Sequence, residues 1–158
     1  MKKYIVTGGL GFIGSNLVNL LSQKNKIIIV DDLSSGNIKN LKINKNIKII
    51  VKKVQDLKKF DNADGIFHFC AQPSVPLSVS QTYESSKNNI LSSIRVFELA
   101  KKNNVPVVFA SSSAVYGNMN FGDDNSNKVD ILTPYSLDKL HLEFLSNIYF
   151  KLFKVRSI

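Results

Sequence analysis

The sequence predicts an α/β fold in which helices cover both faces of a doubly wound parallel sheet. Short, continuous runs of apolar and β-branched residues recur along the chain, as buried parallel strands require. Longer amphipathic segments separate these runs, so strands and helices alternate. A glycine-rich turn joins the first strand to the first helix, at the edge of the sheet where folds of this kind place their ligands.

Five strands are predicted in chain order. They cover residues 4–7, 26–30, 47–51, 65–69 and 105–110. Each is a continuous apolar run and not an alternation of polar and apolar residues, which favours burial on both faces. Parallel neighbours need crossover connections, and such crossovers are right-handed.

Three helical segments are predicted between and after the strands. The first covers residues 12–24, the second lies within 78–103, and the third covers 135–153. Helical spacing brings apolar residues to one face of the last two segments. These residues are Ile90, Leu91, Ile94 and Phe97 in the second segment, and Leu137, Leu140, Phe144 and Ile148 in the third. A polar segment rich in Gly, Asp and Asn, residues 118–127, is predicted to be a loop.

Length and composition limit what the chain can be. With 158 residues and 44% hydrophobic content, it can form one ordinary domain, which we assign to residues 1–158. Cys70 is the single cysteine, so neither a disulfide framework nor a metal-ligand cluster is expected, and the sequence suits a reducing compartment. The N-terminal apolar run stops at Gly8, too early for a signal peptide or a membrane span, which predicts a cytoplasmic protein.

The chain is basic, with 21 Lys and Arg residues against 12 Asp and Glu and a net charge of +9. A balance of this size raises nucleic acid or an anionic membrane as partners. Only Arg95 and Arg156 are arginines, however, whereas base recognition relies on arginine, and the lysines are scattered. We therefore expect neither nucleic acid nor membrane binding.

Three glycines follow the first strand at regular spacing. Gly8 allows a tight turn, Gly11 lets the backbone approach a pyrophosphate, and Gly14 lets the helix pack closely on the strand. Phe12 and Ile13 begin a helix whose N-terminus would face the phosphates. Glycine turns also end strands without any function, but the strand-to-helix context favours a dinucleotide site.

Acidic residues at the ends of the next two strands suggest how the rest of a dinucleotide would be held. Asp31 lies 17 residues beyond Gly14, where a carboxylate can accept both ribose hydroxyls of an adenosine and would repel a 2′-phosphate. NAD is therefore predicted over NADP, and the adjacent Asp32 could play the same part. Asp56 could accept the adenine amino group or could cap a following helix.

Two pairs in the chain have a tyrosine four residues before a lysine. These are Tyr83 with Lys87 and Tyr135 with Lys139. Tyr135 begins a helix and lies 23 residues beyond Ser112, which follows the fifth strand at the ligand-binding edge. No comparable serine precedes Tyr83, so the first pair is interpreted as a solvated helix start.

The second pair, together with the serine, suits hydride transfer. A hydride leaves a carbinol carbon only if the hydroxyl proton is removed, and a phenol does this at neutral pH when its pKa is lowered. The Lys139 ammonium would favour the Tyr135 phenolate, and Ser112 would orient the hydroxyl. The alternative for Ser112 is that it simply caps a turn.

Several motifs occur together in one order. They are residues 7–14, Asp-Asp-Leu-Ser-Ser-Gly at 31–36, His-Phe-Cys-Ala-Gln at 68–72, Ser-Ser-Ser-Ala-Val-Tyr-Gly at 111–117, and Pro-Tyr-Ser-Leu-Asp-Lys at 134–139. With these motifs the whole chain resembles the extended short-chain dehydrogenase/reductases, the NAD-dependent epimerase/dehydratase family. The resemblance implies a Rossmann-type fold and an isomerase of nucleotide-sugar metabolism.

The resemblance also implies roles for further residues. Those expected at the cofactor are Ser34, Ser35, Gly36, Leu57, Phe69, Ala71, Gln72 and Asn89, together with Tyr135 and Lys139. Asn89 is expected to brace the site from the long helix. Those expected at the sugar nucleotide are Ser74, Val75, Ser112 and Ser113.

Within the family, the sequence resembles UDP-sugar 4-epimerases. Dehydratases carry Thr-Asp-Glu where this chain has Ser112, Ser113 and Ala114, so it lacks the carboxylate pair used to eliminate water. The expected reaction passes a hydride to NAD and back through a 4-keto sugar. The alternatives are a non-catalytic NAD-binding fragment and a dehydratase or decarboxylase of the same family.

The resemblance carries two expectations about the rest of the protein. Family members continue from a segment like residues 155–158 into a sixth strand and a substrate-binding domain, which this sequence lacks, so the fifth strand is expected to have an open edge. Family members also form dimers through a four-helix bundle, to which the two amphipathic helices would contribute.

Overall fold

A computed structural model describes residues 1–60, 62–118 and 128–158 of the chain. Five parallel strands form one sheet: β1 (Lys3–Thr7), β2 (Lys26–Asp31), β3 (Ile47–Val51), β4 (Gly65–His68) and β5 (Val107–Phe109). The predicted doubly wound parallel sheet is thus confirmed, with every predicted strand present. The loop predicted over 118–127 lies outside the described residues except for Asn118.

The order of the strands creates a crevice at the middle of the sheet. The order is β3-β2-β1-β4-β5, so the chain winds outward from β1 first to one side and then to the other. Val6 of β1 lies between Ile29 of β2 and Phe67 of β4 in the parallel register. A reversal of this kind separates the loops that follow β1 and β4, and ligands of doubly wound folds bind in the resulting gap.

Four α-helices accompany the sheet within the described residues: α1 (Phe12–Leu21), α2 (Val75–Ser80), α3 (Thr82–Asn103) and α4 (Pro134–Phe153). The second predicted segment is divided, because Gln81 has φ −134° and ψ 51° and ends α2 before α3 begins. Helix α1 ends three residues earlier than predicted. Three 3-10 helices lie in the connections, at Ile38–Asn40, Val54–Asp56 and Ser113–Tyr116.

Two hydrophobic clusters fill the two faces of the sheet. Alternate residues of a strand point to opposite faces, so Val6 joins Leu10 and Val18 beneath α1, whereas Ile5 joins Phe97 and Tyr149 beneath α3 and α4. Phe97 is fully buried and its ring lies 5.2 Å from that of Tyr149. These contacts fix α3 and α4 side by side on one face.

The apolar faces predicted for the two long helices do not all point to the core. In α4 the predicted face is largely exposed, with Leu137 56%, Phe144 57% and Ile148 50% accessible. Leu91 of α3 is also exposed, whereas Phe97 is buried. Besides apolar residues such as Phe97 and Leu142, the buried sides of both helices carry many polar residues. These are Ser85, Asn89, Ser92 and Ser93 of α3, and Ser136, Asp138, Lys139 and Ser146 of α4.

The outer edge of β5 is not open, contrary to the sequence-based expectation. Val107 donates to the carbonyl of Arg156 at 2.9 Å, Ile158 donates to Val107 at 3.0 Å, and Phe109 donates to Ile158 at 2.9 Å. Residues 156–158 therefore begin a sixth parallel neighbour. Among the helices of the described segments, none combines the length and hydropathy that a membrane span needs.

Candidate active site

The glycine turn after β1 tolerates no side chain at two of its positions. Gly8 has φ +66°, and a Cβ there would lie 2.6 Å from the Cys70 nitrogen. A Cβ at Gly14 would lie 2.2 Å from the Gly8 carbonyl oxygen. The turn is therefore packed against the end of β4 on one side and against α1 on the other, which agrees with the roles predicted for these glycines.

The first turn of α1 has the features of an anion site. Gly11 is the N-cap residue, no described side chain caps the helix, and the first turn contains no acidic residue. Phe12 and Ile13 are exposed, and a Cβ at Gly11 would meet the Gly8 carbonyl oxygen at 3.4 Å, an ordinary contact. Uncapped N–H groups and the positive end of the helix dipole suit the phosphates of a dinucleotide.

Asp31, the last residue of β2, and Asp32, the first residue after it, occupy different environments. The Asp31 carboxylate is buried beside the glycine turn, where it accepts N–H bonds from Leu10 at 3.0 Å and Leu33 at 2.9 Å. Each of its oxygens keeps a further lone pair for a ligand hydroxyl. Gly36 fits against it, since a Cβ there would lie 2.9 Å from Oδ1. Asp32 is exposed and accepts from the Ser34 hydroxyl at 2.6 Å.

The remaining adenosine candidates lie in the segments that follow β2 and β3. Ser34 and Ser35 are exposed on the loop after β2. Asp56 is exposed at the end of the 3-10 helix Val54–Asp56, and no helix follows it among the described residues before β4, so the capping alternative is wrong. Leu57 is buried in the core under α3.

Asn89 holds the loop after β4 to the two long helices. Its side chain accepts from the Gln72 N–H at 2.7 Å and donates to the Gln72 carbonyl at 3.3 Å. It also donates to the Asp138 carboxylate of α4 at 2.9 Å. Asn89 therefore connects this loop to both long helices. Phe69 packs on the core beneath α1, and Ala71 lies between Phe69 and Gln72.

Tyr135 and Lys139 lie one turn apart at the start of α4. Thr133 caps the helix, and the Tyr135 N–H donates to the Ser78 hydroxyl of α2 at 3.2 Å. The Lys139 ammonium donates to the Ala110 carbonyl, just beyond β5, at 2.8 Å and lies 5.8 Å from the centre of the Tyr135 ring. The predicted pair is thus anchored at the carboxyl edge of the sheet.

Burial acts against the charge of this lysine. Lys139 is only 7% exposed, and burial lowers the pKa of its ammonium below the ordinary value. A negative charge on Asp138, or on Cys70 when its thiol is ionised, opposes this effect by favouring the charged form. Asp138 was not a candidate from the sequence, although it directly precedes the candidate lysine.

Ser112 caps a turn, which is the alternative to its predicted role at the substrate. Its hydroxyl oxygen accepts from the Ala114 N–H at 3.1 Å and caps the 3-10 helix, three residues beyond the end of β5. The hydroxyl hydrogen is still able to donate to a ligand. Ser113 is exposed, and Ser111 instead donates to Glu143 of α4.

The other candidates lie on α2 and at the start of α3. Ser74 caps α2 by accepting from the Leu77 N–H at 3.3 Å, and Val75 is the partly exposed first residue of that helix. Tyr83 is 73% exposed and Lys87 pairs with Glu84, as expected of a solvated helix start.

Comparison with known proteins decides the family. Residues 4–158 match the NAD dependent epimerase/dehydratase family. The chain belongs to this epimerase/dehydratase family. It is similar to the UDP-N-acetylglucosamine 4-epimerase of Methanobrevibacter ruminantium, solved in complex with UDP-N-acetylmuramic acid. The two are 37% identical with a TM-score of 0.94, over 99% of this chain and 53% of that one.

Two further relatives show the range of this epimerase/dehydratase family. The dTDP-D-glucose 4,6-dehydratase of Dictyostelium discoideum is 32% identical over 184 residues, covering 100% of this chain and 42% of that protein. The UDP-glucose 4-epimerase of Thermus thermophilus, solved in complex with NAD, is 25% identical with a TM-score of 0.84, over 98% of this chain and 53% of that one. The chain spans about half the length of these relatives.

A buried histidine connects the two strands at the centre of the site. The His68 ring at the end of β4 shares a 2.8 Å hydrogen bond with the Thr7 hydroxyl of β1 and a 3.2 Å bond with the Ser93 hydroxyl of α3. Burial lowers the pKa of His68 from 6.5 to about 3, and the charge of Lys139 acts in the same direction. The imidazole is therefore neutral in the folded chain at neutral pH.

This neutral histidine should make the stability of the fold pH-dependent. Because the folded pKa lies below the unfolded value, only the unfolded chain gains a proton as the pH falls through 6.5. The contribution is complete above pH 6.5 and is lost progressively toward about pH 3. From pH 7.5 to pH 5.5 we expect a loss of about 1.4 kcal/mol in the free energy of unfolding, measured by urea denaturation.

Two histidine variants separate this contribution from other titrating groups. His68→Gln should unfold with a shallower pH dependence over this range, whereas His141→Gln, which changes the other histidine of the sequence, should keep the His68 contribution. Equal pH dependence in wild type and His68→Gln would contradict the assignment.

Proposed function

We propose that the chain is the cofactor-binding and catalytic-base half of an NAD-dependent nucleotide-sugar epimerase of the UDP-sugar 4-epimerase type. The observation that carries this proposal is the convergence of two features at one edge of the sheet. The uncapped start of α1 follows β1, and the Asp31 carboxylate belongs to the last residue of β2. Tyr135 and Lys139 lie across the crevice, with Lys139 bonded just beyond β5.

The residues around the glycine turn fit NAD. The phosphates would bind the N–H groups of the first turn of α1, and the buried Asp31 carboxylate would accept the ribose hydroxyls. The roles of Asp56, Phe69, Ala71, Gln72 and the residues near the adenosine remain proposals. Support comes from the Thermus thermophilus epimerase, whose structure contains NAD.

The catalytic step would depend on a proton held by this chain. When bound, NAD supplies a hydride acceptor at C4 of the sugar. Tyr135 would take the C4 hydroxyl proton and return it, Lys139 would stabilise the phenolate, and Ser112 would donate a hydrogen bond that orients the hydroxyl. Ser74, Val75 and Ser113 are proposed to contact the sugar nucleotide.

An epimerase is favoured over a dehydratase by the residues after β5. Elimination of water needs a positioned acid and base, and the 3-10 helix Ser113–Tyr116 begins with Ser113 and Ala114, neither of which is a carboxylic acid. The similarity to the UDP-N-acetylglucosamine 4-epimerase supports a UDP-sugar as substrate.

A second copy of the chain is the proposed partner of the exposed face formed by Leu91, Leu137, Phe144 and Ile148. These residues lie on the outer sides of α3 and α4, where they do not cover the sheet. Apolar stripes on two adjacent parallel helices, which pack start to start and end to end, suit a four-helix bundle between two copies.

The first prediction concerns the ribose carboxylate. Asp31→Ala should weaken NADH binding by about 5- to 150-fold, because it leaves ribose hydroxyls unpaired at a cost of about 1–3 kcal/mol. Asp32→Ala is the matched control and should bind within about twofold of wild type, since exposed pairs contribute little. Fluorescence titration measures both. The assignment is wrong if Asp32→Ala shows the larger loss or if NADPH binds as tightly as NADH.

The second prediction concerns the catalytic base. In a version extended to the full length of the relatives, Tyr135→Phe should lower the rate of UDP-hexose interconversion by at least about 100-fold. Tyr83→Phe, which changes the other Tyr/Lys pair, should leave the rate within about twofold. The chain alone should show no measurable turnover, because orienting the sugar requires contacts from both sides. Turnover by Tyr135→Phe at the wild-type rate would rule out the proposed base.

The third prediction concerns assembly. Phe144→Glu should convert the dimer into a monomer in light scattering, because it places a charge in an apolar interface. Leu20→Glu, which alters an equally exposed residue on α1, should remain dimeric. A monomeric wild type would contradict the proposed bundle.

A further inference from the structure

Asp138 is a buried carboxylate for which the proposed reaction has no use. It lies in the second turn of α4, is 4% exposed, and accepts a 2.9 Å hydrogen bond from the Asn89 amide. No ion pair within 4.0 Å includes it among residues 1–60, 62–118 and 128–158. A buried carboxylate without a close cation is costly, and aspartate is a poor helix residue.

The position of this carboxylate gives it two neighbours in the site. The next residue is Lys139, which is also buried and whose charged form Asp138 favours. The other neighbour is Asn89, whose remaining contacts both go to the backbone of Gln72. The Asn89 side chain therefore links α4, α3 and the loop after β4.

We propose that Asp138 is a positioning residue that, through Asn89, fixes the Gln72 peptide at this edge of the sheet and, as the residue next to Lys139 in α4, adds a buried negative charge to its surroundings. The inference rests on the proposed function, in which Lys139 assists Tyr135. An unfavourable residue in a helix interior is expected where function requires it.

Charged and titratable groups face Lys139 from two elements. His68 and Cys70 come from the end of β4, while Tyr135 and Asp138 come from α4 itself. His68 is neutral because burial lowers its pKa to about 3, and burial raises the pKa of the Cys70 thiol to about 11. Asp138 is the one carboxylate among these four neighbours.

The charge and the hydrogen bond are separable by substitution. Asp138→Asn keeps an oxygen that accepts from Asn89 but removes the charge, whereas Asp138→Ala removes both. Glu84→Gln removes a carboxylate from the exposed start of α3 and is the matched control for net charge. Lys139→Arg identifies the Lys139 resonance by its disappearance from spectra of protein labelled at the lysine ε carbons.

The first test follows Lys139 by NMR titration without any cofactor. Asp138→Asn should lower the pKa of Lys139 by about one pH unit, and Glu84→Gln should leave it unchanged within about 0.2 units. A merely structural role for Asp138 predicts no change in Asp138→Asn, and that result would overturn the proposal.

The second test follows hydrogen exchange of the Gln72 amide, which donates to Asn89. Exchange should be about tenfold faster in Asp138→Ala and unchanged in Asp138→Asn. Unchanged exchange in Asp138→Ala would overturn the link through Asn89. If the alanine variant does not fold, Asp138→Ser replaces it with the same expectation.

Neither test contains NADH or a sugar nucleotide. Failure of the chain to bind NADH would therefore count against the proposed function alone. An unchanged pKa of Lys139 in Asp138→Asn would count only against the role proposed for Asp138.

Discussion

Strand β1 pairs in parallel with β2 on one side and with β4 on the other. This pairing determines where the turns and helices of the site lie. Because the winding reverses at β1, α1 must cover one face and the helices after β4 the other, and the loops after β1 and β4 separate. The glycine turn then has to pass within contact distance of the β4 end. Gly8 meets this demand with a positive φ and no side chain, so sheet order and turn chemistry depend on each other.

Polar groups add to the apolar contacts that join the helices to the sheet at the carboxyl edge. Thr7, His68 and Ser93 form one hydrogen-bonded chain, and Gln72, Asn89 and Asp138 form another. A buried polar group is costly unless its partners are present. Each series of hydrogen bonds therefore favours one arrangement of β4, α3 and α4. The same requirement keeps the candidate lysine in place, since its ammonium is bonded to a backbone carbonyl.

The sequence contained enough information for the sheet and the glycine turn, because buried strands and obligatory glycines are decided by local constraints. The break at Gln81 was missed, since it depends on a backbone geometry that no proline or glycine marks. The outward direction of Phe144 could not be decided from its spacing alone. Periodicity finds an apolar face but does not say whether the sheet or another surface covers it.

Tertiary contacts likewise determine the part of the site that the sequence did not reveal. Asp138 lies within the motif of residues 134–139, in which only the tyrosine and the lysine were candidates. Its contact with Asn89, 49 positions away, is seen only in the folded chain. The hydroxyl of Ser112 was open to two interpretations because a cap and a ligand contact use different atoms of one group. The Ser112 oxygen accepts the cap bond, and its hydroxyl hydrogen is still able to donate to a ligand.

The pairing of β5 with residues 156–158 also bears on the order of folding. These partners lie about 50 positions apart, so the strand that ends beside Ala110 acquires its outer neighbour only after α4 has been made and docked. Until then, a newly synthesised chain presents an unpaired strand edge of the kind that joins other chains. A substitution that slows the docking of α4 would therefore lower the yield of folded protein without altering the final structure.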